Sequence, residues 1–304
     1  MAVSLSSIKD LLLPGLMDVT GQYEKIPPQW QKVFTKKKSN MALERTVSVR
    51  FQGLAQLKLE GAPTAFDNNA GERFVYNMEP VEVGLGYAMT RKAIADNLYK
   101  TQFKPTNLDL QKSFADFKEI EAAAIFNSCT TVTPGLGGDG QPLASTAHPV
   151  DGTTWGNTPV TQLDLNEASL LSSMTAIRRN FVNEAGLKIK ARARKLIGPP
   201  ELEQVMIRLT KTVLRPGTAN NDVNAVLSLS GGLADGYEVM DYLTSPYAWF
   251  LKTDVDGLIY IERENFEMSM WVDDYTDNLM VKGYERYGFF YNDPRAIYCN
   301  TPLS

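Results

Sequence analysis

Histidine and cysteine are almost absent from this chain: among 304 residues there is one histidine, His148, and two cysteines, Cys129 and Cys299. One imidazole and two thiols far apart in sequence do not supply the close ligand set of a zinc site, and no HExxH occurs. The cysteines form neither a CxxC pair nor a disulfide framework, which fits synthesis in a reducing cytoplasm. Long apolar runs are missing as well. Leu11-Leu12-Leu13 follows Lys9-Asp10 and is broken at once by Pro14-Gly15. That run is too short for a signal-peptide core and lacks a small-residue cleavage site, and no stretch approaches the ~20 apolar residues of a membrane span. Excess positive charge is also lacking, since 31 Lys and Arg stand against 35 Asp and Glu, a net charge of −4. Gripping nucleic-acid phosphates is therefore not the main task of the surface, although a local basic patch stays open. The expectation is a soluble protein with no cofactor, no metal and no membrane partner.

What is present is globular material. Hydrophobic residues make up 43% and charged residues 22%, which excludes wholesale disorder. A chain of this length can bury roughly 75% of its unfolded surface without a covalent staple. The chemical candidates are few. His148 lies in the Pro-bounded loop Ser145-Thr146-Ala147-His148-Pro149; residue types leave a Ser-His-Asp reading open, and a structural histidine is the plainer one. Gly135-Leu136-Gly137-Gly138-Asp139-Gly140 matches G-x-G-x-x-G by letter. A dinucleotide site needs a strand before that motif and a helix after it, whereas here a helical pattern and Pro134 precede it and Gln141-Pro142 follows. Asp254-Val255-Asp256-Gly257 opens like a calcium loop, but the twelfth position is Asn265 rather than Glu, so it reads as a β-turn. Asp273-Asp274 reads as adjacent strand positions, which point to opposite faces and suit no shared substrate.

Residues 1–40 carry little periodicity, with Pro27-Pro28 and the basic run Lys36-Lys37-Lys38, and read as a solvated arm. Thr46 to Gln52 alternates with period two, and Arg73 to Met78 is a second extended candidate. Some twenty residues separate them, far beyond the usual hairpin loop of about 2–5. An isolated two-stranded hairpin is marginal in water, so this one folds back or leans on a neighbouring subunit. Arg50, Lys58, Glu60, Glu72 and Arg73 are the candidate subunit contacts. A short helix is expected over Thr90 to Lys100. A long one follows, with Thr106 as cap and Leu110, Phe114, Phe117, Ile120 and Ala124 as its apolar stripe, ~22 residues or ~33 Å. Its opposite face carries Lys112, Asp116, Lys118 and Glu119.

Asn166 to Phe181 reads as an amphipathic helix, with Leu170, Met174, Ile177 and Phe181 on one stripe. Leu187 to Lys195 then alternates. Read as a strand, it puts Lys188, Lys190, Arg192 and Arg194 on one basic face, for nucleic acid or an acidic partner, or simply a solvated face paired with carboxylates. Gly198-Pro199-Pro200-Glu201 opens a further helix with Leu202, Val205, Met206, Leu209 and Val213 as its stripe, ended by Pro216-Gly217-Thr218. Strands are expected over Glu238 to Leu243, Trp249 to Thr253, Leu258 to Arg263, Asn278 to Tyr291 and Ala296 to Cys299. Helices and strands mix without βαβ alternation, so the fold class is α+β.

Four stretches carry a family resemblance: Gly138 to Pro149 with Asn157; Arg194 to Leu202; Leu214 to Asn224; and Tyr242 to Leu251, with Tyr287-Gly288 and Asp293-Pro294-Arg295 further on. None is a catalytic motif. In this order over residues 138–295 the chain resembles a tailed-phage major capsid protein of the Mu-like major head subunit group; residues before 130 match by layout only. The resemblance implies an HK97-like capsid fold. Its parts would be an N-terminal arm at 1–40, an extended E-loop hairpin at 41–89, a peripheral domain at 90–194 with a spine helix near 107–128, an axial domain at 195–270, and return strands of the peripheral domain at 271–304.

The implied function is self-assembly, as hexamers and pentamers, into an icosahedral shell around double-stranded DNA. That shell would be built in the host cytoplasm with a separate scaffolding protein, a portal and decoration proteins. The basic row 188–194 would face the lumen or a neighbour. Nothing marks an Asn or Glu partner for Lys58, so the isopeptide cross-link of some relatives is not expected. Two other readings remain: an encapsulin-like nanocompartment shell, and a cytoplasmic enzyme using His148 and the glycine loop. On the shell reading, alanine at His148 is expected to leave assembly largely intact.

Overall fold

The computed structural model describes residues 28–50, 53–64, 66, 70–95, 104–132, 138–212, 224–228 and 232–302. After a 3-10 turn at Gln29–Lys32, the elements are β1 (Thr35–Lys38), β2 (Glu44–Arg50), β3 (Gly71–Met78), β4 (Val81–Met89), α1 (Arg91–Ala95) and α2 (Lys104–Asn127). Then come β5 (His148–Val150), β6 (Thr153–Trp155), α3 (Glu167–Asn180), β7 (Ala193–Gly198), α4 (Glu203–Lys211) and α5 (Ala225–Ser228). The chain closes with β8 (Tyr237–Val239), β9 (Trp249–Thr253), β10 (Leu258–Val272), β11 (Leu279–Tyr291), a 3-10 turn at Pro294–Ala296 and β12 (Ile297–Asn300).

Two four-stranded sheets carry the body. The first runs β1-β10-β11-β4 and the second β12-β9-β7-β8; β2-β3 and β5-β6 pair separately. The second sheet is buried on both faces. Phe250, Ile297, Cys299 and Ile197 face a core shared with α2 and the first sheet. Trp249, Leu251, Tyr298 and Leu196 face a core filled by Leu170, Met174, Ile177 and Phe181 of the α3 region. Neighbouring strand residues point to opposite faces, so these strands read as unbroken apolar runs. The α3 expectation is met closely: the Asn166 side chain accepts from the Ser169 amide, and the Ser169 hydroxyl oxygen accepts from the Asn166 amide.

The arm expectation is corrected where it can be seen. Trp30, Val33 and Phe34 are core residues, with the Trp30 ring tilted at 39° to that of Tyr260, centroids 4.2 Å apart, and edge-on to Phe289 at 5.4 Å. The basic run is strand β1, parallel to β10, with Lys36 and Lys38 both on Glu262. The sequence hid this because the anchoring residues, Trp30 to Phe34, lie in a 3-10 turn and the two residues after it, without helical or strand periodicity. Residues 1–27 lie outside the described set.

Helix α2 spans 24 residues, ~36 Å at 1.5 Å per residue. It begins at Lys104, so Thr106 lies in its first turn and is not its cap; Pro105 suits that turn. Its buried row is Leu110, Phe114, Ala122 and Phe126, a four-residue ladder that passes through Lys118. That lysine is neutralised by Glu285 at 2.5 Å and lies over the Tyr287 ring. Glu119 also turns inward and accepts from the Gln29 and Trp30 amides at 2.7 and 3.2 Å. The expected stripe followed three-residue steps to Phe117 and Ile120, which are exposed. The helix crosses β11 at Gly283, where a Cβ would sit 2.7 Å from the Phe266 ring and 2.9 Å from that of Phe114.

Other expectations shift. Of the short helix at 90–100, α1 covers Arg91–Ala95, and 96–103 are not described. The helix after Pro199 is a 3-10 turn followed by α4, and Val213 and Pro216-Gly217-Thr218 lie outside the described residues. Asp273 opens the β10–β11 turn rather than lying on a strand, and accepts from Thr276 Oγ1 at 2.5 Å. The boundaries at 194/195 and 270/271 fall inside β7 and β10, and β12 pairs with β9 rather than with the first sheet. β4 belongs to the first sheet, so the hairpin proper is β2–β3.

Candidate assembly interface

The hairpin β2–β3 pairs Glu44 with Met78 at its base and Arg50 with Gly71 at the far end. Burial is confined to the base, at Tyr76 and Met78. Beyond the paired strands the chain offers apolar side chains to solvent: Leu54, Leu57, Leu59 and Phe66 are 77%, 104%, 79% and 85% exposed. Lys58, Glu60 and Glu72 are exposed beside them. Arg50 and Arg73, expected to meet a neighbour, engage their own chain. Arg50 Nη2 donates to Asp151 at 2.8 Å, and Arg73 Nη1 donates to the Glu184 carbonyl at 2.9 Å.

The base of the hairpin rests on a charged socket. Arg295 is buried, with Nε donating to the Val182 carbonyl at 2.5 Å, Nη1 to Asp293 at 3.1 Å and Nη2 to Glu184 at 2.9 Å; its guanidinium lies over Trp155. Arg73 is 3.6 Å from the other Glu184 oxygen, so one carboxylate ties β3 to the turn before β12. Burial pushes the Tyr76 hydroxyl well above its ordinary pKa, and the nearby Asp139, Asp293 and Glu184 push it further. Gly138 lies beneath the same strand, where a Cβ would come within 2.8 Å of the Val75 carbonyl and 3.0 Å of the Tyr76 ring. The glycine at 138 thus serves close packing against the hairpin base.

Behind the socket lies His148, 1% exposed and stacked on Trp155 at 4.8 Å. Its Nδ1 meets Asp139 Oδ2 at 2.6 Å and its Nε2 meets Asn157 Oδ1 at 3.2 Å. The Asn157 amide nitrogen faces three carbonyls, of Leu143, Pro294 and Ile297. Its oxygen is therefore the acceptor, which it also is for the Ser145 amide at 2.9 Å, and Nε2 of His148 carries a hydrogen. Both ring nitrogens are occupied by Asp139 and Asn157. Neither faces a hydroxyl, and the ring is not placed to activate Ser145. The loop is interior, and alanine at His148 would remove the buried partner of Asp139 Oδ2.

The basic row is exposed at Lys188, Lys190, Arg192 and Arg194, while Ala191 and Ala193 are buried. The alternation is right, but the expected strand is present only from Ala193 onward, as the start of β7. Only a single bridge, Val182 to Lys188, precedes β7, and Lys190 has a left-handed φ of 57°. Among the described residues none of the four makes an ion pair. Asp254, from the segment read as a β-turn, accepts from the Arg192 amide at 2.9 Å. Sequence reading missed Glu184, which belongs to no motif; Asn157 and Arg295 were visible only as letters in the resemblance.

These elements define a capsid fold. The chain resembles the bacteriophage JBD30 procapsid subunit at 12% identity and TM-score 0.53 over 99% of this chain and 77% of that one. It resembles a virus-like particle from Pyrococcus furiosus at 12% identity and TM-score 0.53 over 95% and 97%. The capsid of a native GTA particle matches at 13% identity and TM-score 0.56 over 90% of each chain. Curated proteins include no match. The fold is thus α+β and HK97-like. Residues 78–300 match the phage capsid protein family, and the chain belongs to it; it is a shell-forming capsid subunit.

Proposed function

We propose that this chain is the major head protein of a tailed phage of the Mu-like group, assembling as hexamers and pentamers into an icosahedral shell around double-stranded DNA. The observation that carries this reading is the hairpin: strands packed at Tyr76 and Met78 and held by Arg73 to Glu184, and beyond them a row of apolar side chains, Leu54, Leu57, Leu59 and Phe66, exposed to solvent. Exposed apolar groups in such a row mark an interaction surface. In a closed shell each copy's hairpin is covered by a neighbour, and many modest contacts retain every copy. Lys58, Glu60 and Glu72 then meet that neighbour beside Leu54, Leu57 and Leu59, while Arg50 and Arg73 tie the two strands to Asp151 and Glu184 of their own chain. In this reading α2 is the spine helix of the peripheral domain, and the second sheet with α4 and α5 forms the axial domain. The basic row 188–194 faces the lumen or an adjoining subunit. A separate scaffolding protein, a portal and decoration proteins are the further partners, assembly takes place in the host cytoplasm, and the chain has no catalytic role.

Electron microscopy of the purified protein tests the reading. Hollow particles or capsomer rings are expected, with DNA rather than cargo protein inside particles taken from infected cells; a small, compact oligomer would overturn it. Cargo protein in place of DNA would favour a nanocompartment shell. Replacing Leu54, Leu57 and Leu59 with serine is expected to abolish particles while leaving the subunit's denaturation midpoint within about 0.5 kcal/mol of wild type.

A further inference from the structure

From Ala168 to Pro200 the chain carries seven lysines and arginines against one carboxylate, Glu184. That carboxylate is buried and taken by Arg73 and Arg295. Lys195 is turned onto the Lys32 carbonyl at 3.0 Å. The row Lys188, Lys190, Arg192 and Arg194 is left exposed. Arg178 and Arg179, exposed in the last turn of α3, add to the same field, because the Ile189 amide donates to the Phe181 carbonyl at 3.2 Å and draws that turn alongside. The backbone under the row is fixed. Ala191 and Ala193 are buried between the cations. The Arg192 amide donates to Asp254 Oδ1 at 2.9 Å, and its carbonyl accepts from the Asp254 amide at 3.0 Å. The Arg194 carbonyl accepts from the Asp235 amide at 2.9 Å. Asp235 and Asp254 therefore reach the row through its backbone and leave its charged heads in water. The result is a local positive field on a chain whose net charge is −4.

We propose that Lys188, Lys190, Arg192 and Arg194 form a binding site for the phosphate backbone of double-stranded DNA, engaged without regard to base sequence. The inference rests on the shell reading for where DNA is met, and deepens it by naming the surface and turning the row to the lumen. Two features favour a nucleic acid over a protein partner. No large apolar side chain from Asp164 to Met206 is exposed, whereas the centre of a protein interface is apolar and poor in charge, lysine above all. Surfaces that hold nucleic acid are the reverse, polar and strongly positive. The row also carries no aromatic ring, so it offers contacts to phosphate and nothing on which a base could stack. The fixed backbone leaves only side-chain freedom to be lost on binding. Release of counterions from the duplex supplies the free energy, with each cation that meets a phosphate adding about 0.9 to the salt slope. Such a contact is weak in one copy, and repetition over a shell holds the duplex while each contact still breaks singly.

The test follows binding of the full chain to a mixed-sequence duplex of ~20 base pairs, by fluorescence anisotropy, as salt rises from ~25 to ~100 mM. Affinity is expected to fall about a hundredfold or more over that range, a log–log slope of about −3.6 for four phosphates. Lys188→Gln, Arg192→Gln and Arg194→Gln together should make the slope shallower by about 2.7 with no change in denaturation midpoint. Lys190 is kept in that variant because its φ of 57° is left-handed. Should the triple variant fail to fold, Arg194→Gln alone should still take about 0.9 from the slope. Arg192→Lys with Arg194→Lys, which keeps the charge, should keep the slope. A wild-type slope shallower than about −1, or a folded triple variant with the wild-type slope, would overturn the proposal. So would tighter binding of a polyglutamate peptide than of the duplex at equal salt, which would assign the row to an acidic protein partner. Micrographs of the wild-type samples keep the outcomes separate: particles without duplex binding refute only this inference, and duplex binding by a chain that forms no particles refutes only the capsid reading.

Discussion

Asn157 joins three pieces of chain that sequence keeps far apart. Its side chain reaches Leu143, Ser145, His148, Pro294 and Ile297, and its backbone carbonyl accepts from Cys299. No apolar replacement can serve the buried carbonyls and the ring nitrogen together, and each unserved group bears its full desolvation cost. Asn157→Ala should therefore destabilise the unassembled subunit by about 3 kcal/mol, read as the shift of its guanidinium midpoint. A loss below about 1 kcal/mol would mean that water takes over the amide's role. Little of this was legible beforehand. The letters Asp139, His148 and Asn157 stood out together, but their meeting depends on a turn 137 residues away, at Pro294, and no local pattern encodes such a closure. Likewise Glu184 gives no signal in sequence, because a buried carboxylate is recognised only when Arg73 and Arg295 arrive from other elements.

At the scale of the element, legibility followed periodicity. Helix α3 and strand β9 were readable almost to the residue, since an apolar stripe closed by Asn166 and a short fully buried run each have one reading. Helix α2 was readable in place and length but not in facing. Its buried row includes Lys118, whose partner Glu285 comes from β11, so a hydrophobicity stripe alone points to the wrong face. That pairing makes a pH prediction. Burial raises the Glu285 pKa, and Lys118 only partly opposes it. With the folded pKa above the unfolded one, the native state takes up a proton first as pH falls, so Glu285 adds stability on acidification through the window from its raised pKa down to the unfolded value. Relative to Glu285→Gln, wild type should gain stability as pH drops across that window and hold a constant difference on either side of it. Denaturation midpoints of the two proteins from pH 8 to 4 check this, and a difference that does not vary with pH would assign the raised pKa no thermodynamic weight.

For the whole molecule, the consequence is that folding of one copy is incomplete as a burial of apolar surface. The two cores account for the body, yet Leu54, Leu57, Leu59 and Phe66 stay in water, and the exposed Phe117 and Ile120 line the outer face of α2. The surface that remains bare on a single copy is what a closed shell removes from solvent. Limited proteolysis distinguishes the two states through one bond. Lys58 is exposed in the long connection between β2 and β3, whereas Arg50 and Arg73 at its two ends are held by Asp151 and Glu184. Trypsin should therefore cut the dispersed subunit first after Lys58, and assembled particles at least about tenfold more slowly, because covering by a neighbour reduces the open fraction available to the protease. Lys58→Gln should remove the early fragment from the dispersed subunit. Equal cleavage rates in both states, measured by mass spectrometry of the early fragments, would mean that the hairpin stays uncovered in the shell, and the driving force for assembly would then have to come from the face of α2 instead.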